Sequence, residues 1–184
     1  MRIPKPVVAA FVVVNLLLLA ACLVALKQNV KLRDQAANLT ALLTPARGTV
    51  LPPLLGTDWT GAPQAVVYGH DRRPTLIYTF SKECGYCQEN WRAMRSLQAL
   101  APRRLRIIYI DTIHDLFTQQ YLDESGIGRS ALLIQLSPTV AEIYDARAFP
   151  QLVLVDRDGR VQWSHVGELA PGDAFKALSL IEHN

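Results

Sequence analysis

The segment Ser81-Lys82-Glu83-Cys84-Gly85-Tyr86-Cys87-Gln88 constrains this chain more than any other. Two cysteines with two residues between them either close a small disulfide ring or stay as a reactive dithiol. The run before them, Thr75 to Phe80, is apolar and β-rich and reads as a buried strand. The stretch from Cys84 to Leu100 reads as a helix. Cys84 therefore falls at a strand-to-helix junction, where the helix dipole and free backbone N–H groups stabilise a thiolate. A stabilised thiolate is a nucleophile, so disulfide exchange is the leading reading.

The rest of the cysteine inventory supports redox chemistry over a scaffold role. Only Cys22, Cys84 and Cys87 occur, too few for a disulfide framework. A structural zinc would need two more ligands, and His70, His114, His165 and His183 are scattered without ligand spacing. The net charge is +3, of which Arg2 and Lys5 at the amino end carry two. The remainder is nearly balanced and offers no basic face for nucleic acid. The pairs Arg72-Arg73 and Arg103-Arg104 read as solvated loop charges.

Val7 to Leu26 forms an apolar run in which Asn15 is the strongly polar exception. As a helix it would extend about 30 Å, the thickness of a hydrocarbon core. Arg2 and Lys5 precede it, as expected for a cytoplasmic amino terminus. The preferred reading is an uncleaved signal anchor with the rest of the chain outside the cytoplasm. A second reading stays open: Leu19-Ala20-Ala21-Cys22 resembles a bacterial lipobox, which would make Cys22 a lipidation site. Against it, Leu23 to Leu26 prolongs the apolar run past the supposed cleavage point. Either way the chain is tethered to a membrane.

Lys27 to Leu43 continues a helical pattern of mixed polarity, and Pro45, Gly48, Pro52 and Pro53 break it. The division read from these signals is an anchor or signal at 1–27, a stalk and linker at 28–53, and a domain at 54–184. Within the domain, strands are expected at Ala65–Tyr68, Thr75–Phe80 and Leu105–Ile110, with a further one at Ala131–Leu136. Helical patterns cover Leu116–Glu124 and Thr139–Tyr144. Gln151–Asp156 and Val161–Val166 flank an Asp158-Gly159 turn, a strong hairpin signal. A last helix runs from Pro171, which suits a first helical turn, to His183.

A strand feeding Cys84-Gly85-Tyr86-Cys87 at a helix start, with Phe149-Pro150 ahead of a β-hairpin, resembles the thioredoxin fold. The longer pattern resembles the membrane-anchored TlpA/ResA-type thiol–disulfide oxidoreductases. The matching features are the amino-terminal anchor, the stretch Gly56 to Gly61, the CxxC, the segment Ala141 to Pro150, and Gln151 to Arg160 continuing to Gly167. The resemblance spans roughly residues 54 to 183. It implies an α/β fold, a central mixed sheet flanked by helices, behind a transmembrane helix.

The resemblance also implies roles. Cys84 is the exposed attacking thiol that forms a mixed disulfide with substrate, and Cys87, one turn further in, resolves it. Pro150 follows a cis peptide bond and faces the dithiol. Lacking an N–H, it leaves neighbouring backbone free to pair with a substrate strand. Phe149 lines the approach, and Gly85 and Tyr86 sit between the cysteines at the substrate side. The Gly-Tyr pair also occurs in periplasmic disulfide isomerases. No cofactor beyond the Cys84–Cys87 couple is implied.

Several positions depart from the pattern. Glu83 stands where thioredoxins usually carry Trp, and its carboxylate opposes thiolate formation. Thioredoxin's buried Asp corresponds to Tyr78. The Glu that many relatives carry after the second cysteine is Asn90, and the helix proline is Arg92. Proton transfer thus has no clear occupant, with Glu83 and Glu89 as candidates. Trp91, Met94 and Leu97 lie at helical spacing and read as core, as do Trp59 and Trp163.

The resulting expectation is a reductase tethered in the bacterial inner membrane with its redox domain facing the periplasm or exterior. It would act on extracytoplasmic protein thiols and disulfides, with apocytochrome c a family-level suggestion, and be served by a membrane redox partner. The rivals are a disulfide isomerase or oxidase, and a copper metallochaperone that would want His165 near the thiols.

Overall fold

The computed structural model describes residues 5–58, 60–69, 73–112, 118–127, 132–136 and 148–182. The chain divides into two compact units, residues 1–40 and 41–184.

The first unit is helix α1, which continues to Leu43 (Lys5–Leu43). Leu16, Leu17, Leu18 and Leu19 follow one another around it and all are exposed. A helix with apolar side chains on every side has no polar face to turn to water. The window Val13–Gln35 is long and apolar enough to cross a membrane by length and composition, and none of it is buried. Asn15 donates from Nδ2 to the Phe11 carbonyl one turn back at 2.8 Å, which gives the amide a partner within the helix. Cys22 is exposed on the same helix.

The second unit is a seven-stranded mixed sheet with helices. Its elements are β1 (Leu54–Thr57), β2 (Pro63–Val66), β3 (Thr75–Phe80), α2 (Gly85–Arg104), β4 (Arg106–Asp111), α3 (Thr118–Glu124), β5 (Leu132–Leu136), β6 (Gln151–Val155), β7 (Val161–Val166) and α4 (Pro171–Glu182). The strand order is β2-β1-β5-β4-β3-β6-β7. β3 pairs in parallel with β4 and antiparallel with β6, so the strand leading to Cys84 is central. Every residue of β3 is buried, as a strand covered on both faces requires.

The two-residue period of these strands divides the core. Leu76, Tyr78 and Phe80 of β3, Ile107 and Tyr109 of β4, and Leu152 and Leu154 of β6 form one cluster with Cys87, Trp91, Met94 and Leu97 of α2. Ile77, Ile108, Ile110, Val153 and Val155 point the other way, into a second cluster with Leu51, Leu54 and Val161. Burying each such side chain is worth about 1.5–3 kcal/mol. The expected Trp91, Met94 and Leu97 stripe is therefore core, and Trp163 packs partly buried against the same cluster. Trp59 and the helical pattern at Thr139–Tyr144 lie outside the described residues.

Several boundaries differ from the sequence reading, among them β2, which runs Pro63–Val66 where Ala65–Tyr68 was expected. α2 continues past Leu100 to Arg104. Leu54–Thr57 is a strand, paired antiparallel with β2 and β5, where no strand was expected. Residues 44–53, read as linker, are fastened to the last hairpin. The segment and Val161 exchange main-chain bonds, Gly48 N–H to the Val161 carbonyl and Val161 N–H to the Thr49 carbonyl, both at 2.8 Å. Leu51 N–H donates to the Gly159 carbonyl at 2.9 Å, and the Leu51 side chain is buried. The prolines stop the helix, but the main chain beyond them finds partners along the start of β7, which would otherwise be a bare edge.

Candidate active site

The end of β3 is tied into a tight turn. Cys84 N–H donates to the Ser81 carbonyl at 3.1 Å, and Glu83 N–H to Ser81 Oγ at 3.2 Å. Cys87 N–H then donates to the Cys84 carbonyl at 3.0 Å. Cys84 thus stands immediately before the first residue of α2, at the positive end of a 20-residue helix. Gly85 and Tyr86 are exposed, Tyr86 to 65 %. A Cβ at Gly85 would meet nothing within 4 Å, so the outer side of the dithiol is open.

The two sulfurs have different surroundings. Cys84 is half-buried, whereas Cys87 is completely buried. Burial pushes the Cys87 thiol up to about 12, and a hydrogen bond to the Cys84 sulfur adds to this, while the Ser81 main-chain N–H and the Tyr78 hydroxyl pull the other way. The Cys87 thiol therefore keeps its proton through the ordinary thiol range.

Beneath the dithiol lies a cluster of aromatic rings. Tyr78 stacks on Phe80 at 5.9 Å between centroids and meets Trp91 edge-on at 5.5 Å. Tyr121 of α3 stacks on Phe80 at 6.1 Å, and its hydroxyl accepts from Trp91 Nε1 at 2.9 Å. Tyr78 is fully buried, and its hydroxyl donates to the Cys87 carbonyl at 3.3 Å. Burial first, then the charge that Cys87 would carry, raise the Tyr78 phenol far above its ordinary range, so it stays protonated. Tyr121 is raised in the same way, mainly by burial.

Asn90, read from the sequence as an unfilled position, is fully buried and has its partners. Its Oδ1 accepts the Leu169 N–H at 2.7 Å, and its Nδ2 donates to the Gly167 carbonyl at 3.1 Å. It also hydrogen-bonds the Tyr78 hydroxyl. A signal for this was present. Cys87, Asn90, Met94 and Leu97 recur at helical spacing, so a polar residue sits on the apolar stripe of α2 and must find partners there. Nothing in the sequence marked Tyr121, which lies in an unremarkable helical pattern.

The Phe149–Pro150 peptide bond is cis, as the resemblance implied. Pro150 is buried, and its carbonyl accepts the Gly167 N–H at 2.9 Å. Phe149 and Cys84, both half-buried, pack against the same core cluster. Glu83 and Glu89 are exposed on the surface. His165 stacks on Trp163 at 5.6 Å, and its Nε2–H donates to the Glu168 carbonyl at 2.9 Å.

Comparison with known proteins bears on the fold. No protein-family model matches the chain, and no curated protein matches it in sequence. Solved structures do match. A thiol:disulfide interchange protein of the thioredoxin family from Chlorobium tepidum is 17 % identical with a TM-score of 0.60, covering 75 % of this chain and 99 % of its own. The thioredoxin domain of a thiol-disulfide oxidoreductase from Bacteroides vulgatus is 19 % identical with a TM-score of 0.58, covering 74 % and 97 %. A thiol:disulfide interchange protein from Bacteroides sp. is 16 % identical with a TM-score of 0.59, covering 76 % and 91 %. The mixed sheet and its helices therefore form a thioredoxin-like fold.

Proposed function

We propose that the chain is a membrane-tethered thiol–disulfide oxidoreductase, which exchanges its Cys84–Cys87 couple with protein substrates outside the cytoplasm and acts as a reductase. The inequality of the two thiols carries this reading. Cys84 stands half-buried at a helix amino end, while Cys87 is sealed in the core with its thiol pushed up to about 12. An accessible thiol beside a protonated, inaccessible one is the arrangement that sequential exchange requires.

In the reducing direction, the Cys84 thiolate attacks a substrate disulfide. The Cys84–substrate S–S bond forms, the substrate's own S–S bond breaks, and the released thiolate takes a proton. Cys87 then loses its proton and attacks the Cys84 sulfur, closing the Cys84–Cys87 disulfide and releasing the second substrate thiol. Two electrons and two protons have passed to the substrate. A membrane redox partner returns them to the couple. The buried, cis-linked Pro150 shapes the wall beside the dithiol, and Phe149, Gly85 and Tyr86 line the approach. The substrates are extracytoplasmic protein disulfides, with apocytochrome c one example.

The apolar helix α1 supports a tether, and the anchor reading leaves Cys22 as a small apolar residue within it. Glu83 and Glu89, the candidates for proton transfer, are both exposed.

The test is Cys87→Ser in the full-length chain expressed in a bacterial host. Mixed disulfides linked through Cys84 accumulate if exchange occurs, and their absence sinks the reading. The potential of the couple decides direction: a value near about −270 mV fits a reductase and one near about −120 mV an oxidase.

A further inference from the structure

The exchange just proposed leaves one chemical difficulty, and the inference here rests on that exchange. To resolve the mixed disulfide, Cys87 must become a thiolate in a site where it is completely buried and its thiol is held protonated. A charge formed in such a place needs a hydrogen-bond donor already aimed at it.

Among the described residues, the groups that bear on the Cys87 sulfur are few. Cys84 approaches from the turn, Tyr78 from β3, and Tyr121 of α3 lies close enough to feel the charge of both sulfurs. The main-chain N–H of Ser81 is a donor supplied by backbone. Tyr121 accepts from Trp91 Nε1 and bears on the sulfurs through charge rather than a hydrogen bond. Tyr78 is different: it is buried on the same face as Cys87, its hydroxyl donates to the Cys87 carbonyl at 3.3 Å, and it is the side-chain hydroxyl that pulls the Cys87 thiol down against burial. Its oxygen in turn receives a hydrogen bond from Asn90, whose second amide hydrogen goes to the Gly167 carbonyl and whose oxygen holds the Leu169 N–H. The phenol is therefore held from behind, with its hydrogen on the Cys87 carbonyl in the resting state and close enough to turn to a charge formed on the sulfur.

We infer that Tyr78 is a positioning residue for the resolving step, the side-chain donor that stabilises the Cys87 thiolate, held in place by Asn90. Tyr78 does not take the proton. A phenol kept protonated by burial donates a hydrogen bond and nothing more. The proton leaves Cys87 and ends, through water, on the departing substrate thiolate. Electrons move from the Cys87 sulfur into the new bond to Cys84, and the bond from Cys84 to substrate breaks with its pair on the substrate sulfur. No carboxylate is required.

The experiment uses the reduced full-length chain in detergent micelles and an aromatic disulfide that releases a coloured thiolate. Attack by Cys84 releases the first equivalent and resolution by Cys87 the second, so one stopped-flow trace reads both steps. Tyr78→Phe keeps the ring and removes the hydroxyl. Since a hydrogen bond to a charged group is being deleted, the second phase slows about ten- to a hundredfold. The first phase stays within about twofold, because the Cys84 step does not use this donor. The rise of the second-phase rate with pH moves to higher pH in Tyr78→Phe. Tyr109→Phe deletes another hydroxyl of the same aromatic cluster, one that donates to Gln98 Oε1 at 3.1 Å, and leaves both phases unchanged. The assignment is overturned if the second phase is the same in Tyr78→Phe and the parent, if both phases fall together, or if Tyr109→Phe slows resolution as much. A parent protein with no second phase overturns the exchange reading itself, a distinct result.

Discussion

Asn90 and Gly167 are joined across 77 residues of sequence: the Asn90 amide donates to the Gly167 carbonyl at 3.1 Å. The Gly167 N–H in turn donates to the Pro150 carbonyl at 2.9 Å. The helix that begins at the dithiol and the cis-linked proline are thereby held against one short loop. Replacing Asn90 by Ala leaves the Leu169 N–H and the Gly167 carbonyl without their partner. The loss is expected to be about 2–4 kcal/mol, the desolvation cost of two such groups. The shift of the denaturant midpoint at constant slope measures it, and a loss below about 0.5 kcal/mol contradicts it.

Gly167 has φ +98°, a conformation that side chains rarely adopt, and a Cβ there would meet nothing within 4 Å. Gly167→Ala therefore costs backbone energy alone, about 1–2 kcal/mol. Thermal unfolding of the variant reads this. A neutral result means that the loop adopts another conformation without loss.

The pH dependence of stability carries a signature of Cys87. In the unfolded chain this thiol ionises around its ordinary value of 9.0, whereas in the native protein it holds its proton to about 12, first because it is buried and next because it hydrogen-bonds Cys84. Between those values the native state binds more protons than the unfolded one, so stability falls as pH rises. Below the lower value both states are protonated and the contribution is complete. In the disulfide form Cys87 has no proton to lose. The reduced protein should therefore lose stability faster than the oxidised protein between pH about 9 and about 12. Tyr109, raised by burial, gives the same slope in both forms and drops out of the difference, while the part of the Tyr78 and Tyr121 shifts that comes from the cysteine charges belongs to the reduced form and adds to the difference with the same sign. Equal slopes for the two forms contradict the assignment.

Gln151, the residue after Pro150, donates from Nε2 to the Leu43 carbonyl at 2.7 Å, while its buried Oε1 has no partner among the described residues. Gln151→Leu loses the donor but also removes the unpaired oxygen, so its cost is about 1 kcal/mol or less. Gln151→Ala loses the donor and leaves a cavity, so its cost is about 2–3 kcal/mol. That order, read by chemical denaturation of the two variants side by side, is the expected outcome, and the reverse order would mean that the Leu43 bond dominates.

Much of this architecture was legible locally. Thr75 to Phe80 announces itself as a buried strand because every residue is apolar or β-prone, and it is buried throughout. The hairpin at 151–166 was legible from its Asp-Gly turn, and there Asp156 Oδ1 accepts the N–H groups of Asp158 and Arg160, both at 2.9 Å. Leu54 to Thr57 was not legible: a short segment with a glycine becomes a strand because β2 and β5 present edges to it. The linker prolines were read correctly as helix breakers, but not the docking of the segment that contains them, because its partners lie more than a hundred residues away.

The sequence by itself determined the strand-to-helix placement of the CxxC, the apolar character of the amino-terminal helix and the periodicities that divide the core, since each is a property of neighbouring residues. It also named Tyr78 and Asn90 as departures from a familiar pattern, without indicating what they do. Only the tertiary structure decided that Tyr78 lies under Cys87 and that Asn90 links that tyrosine to the loop at 167–169. Burial and hydrogen-bond partnership are set by what packs from elsewhere in the chain, and local patterning carries no record of which distant groups those are.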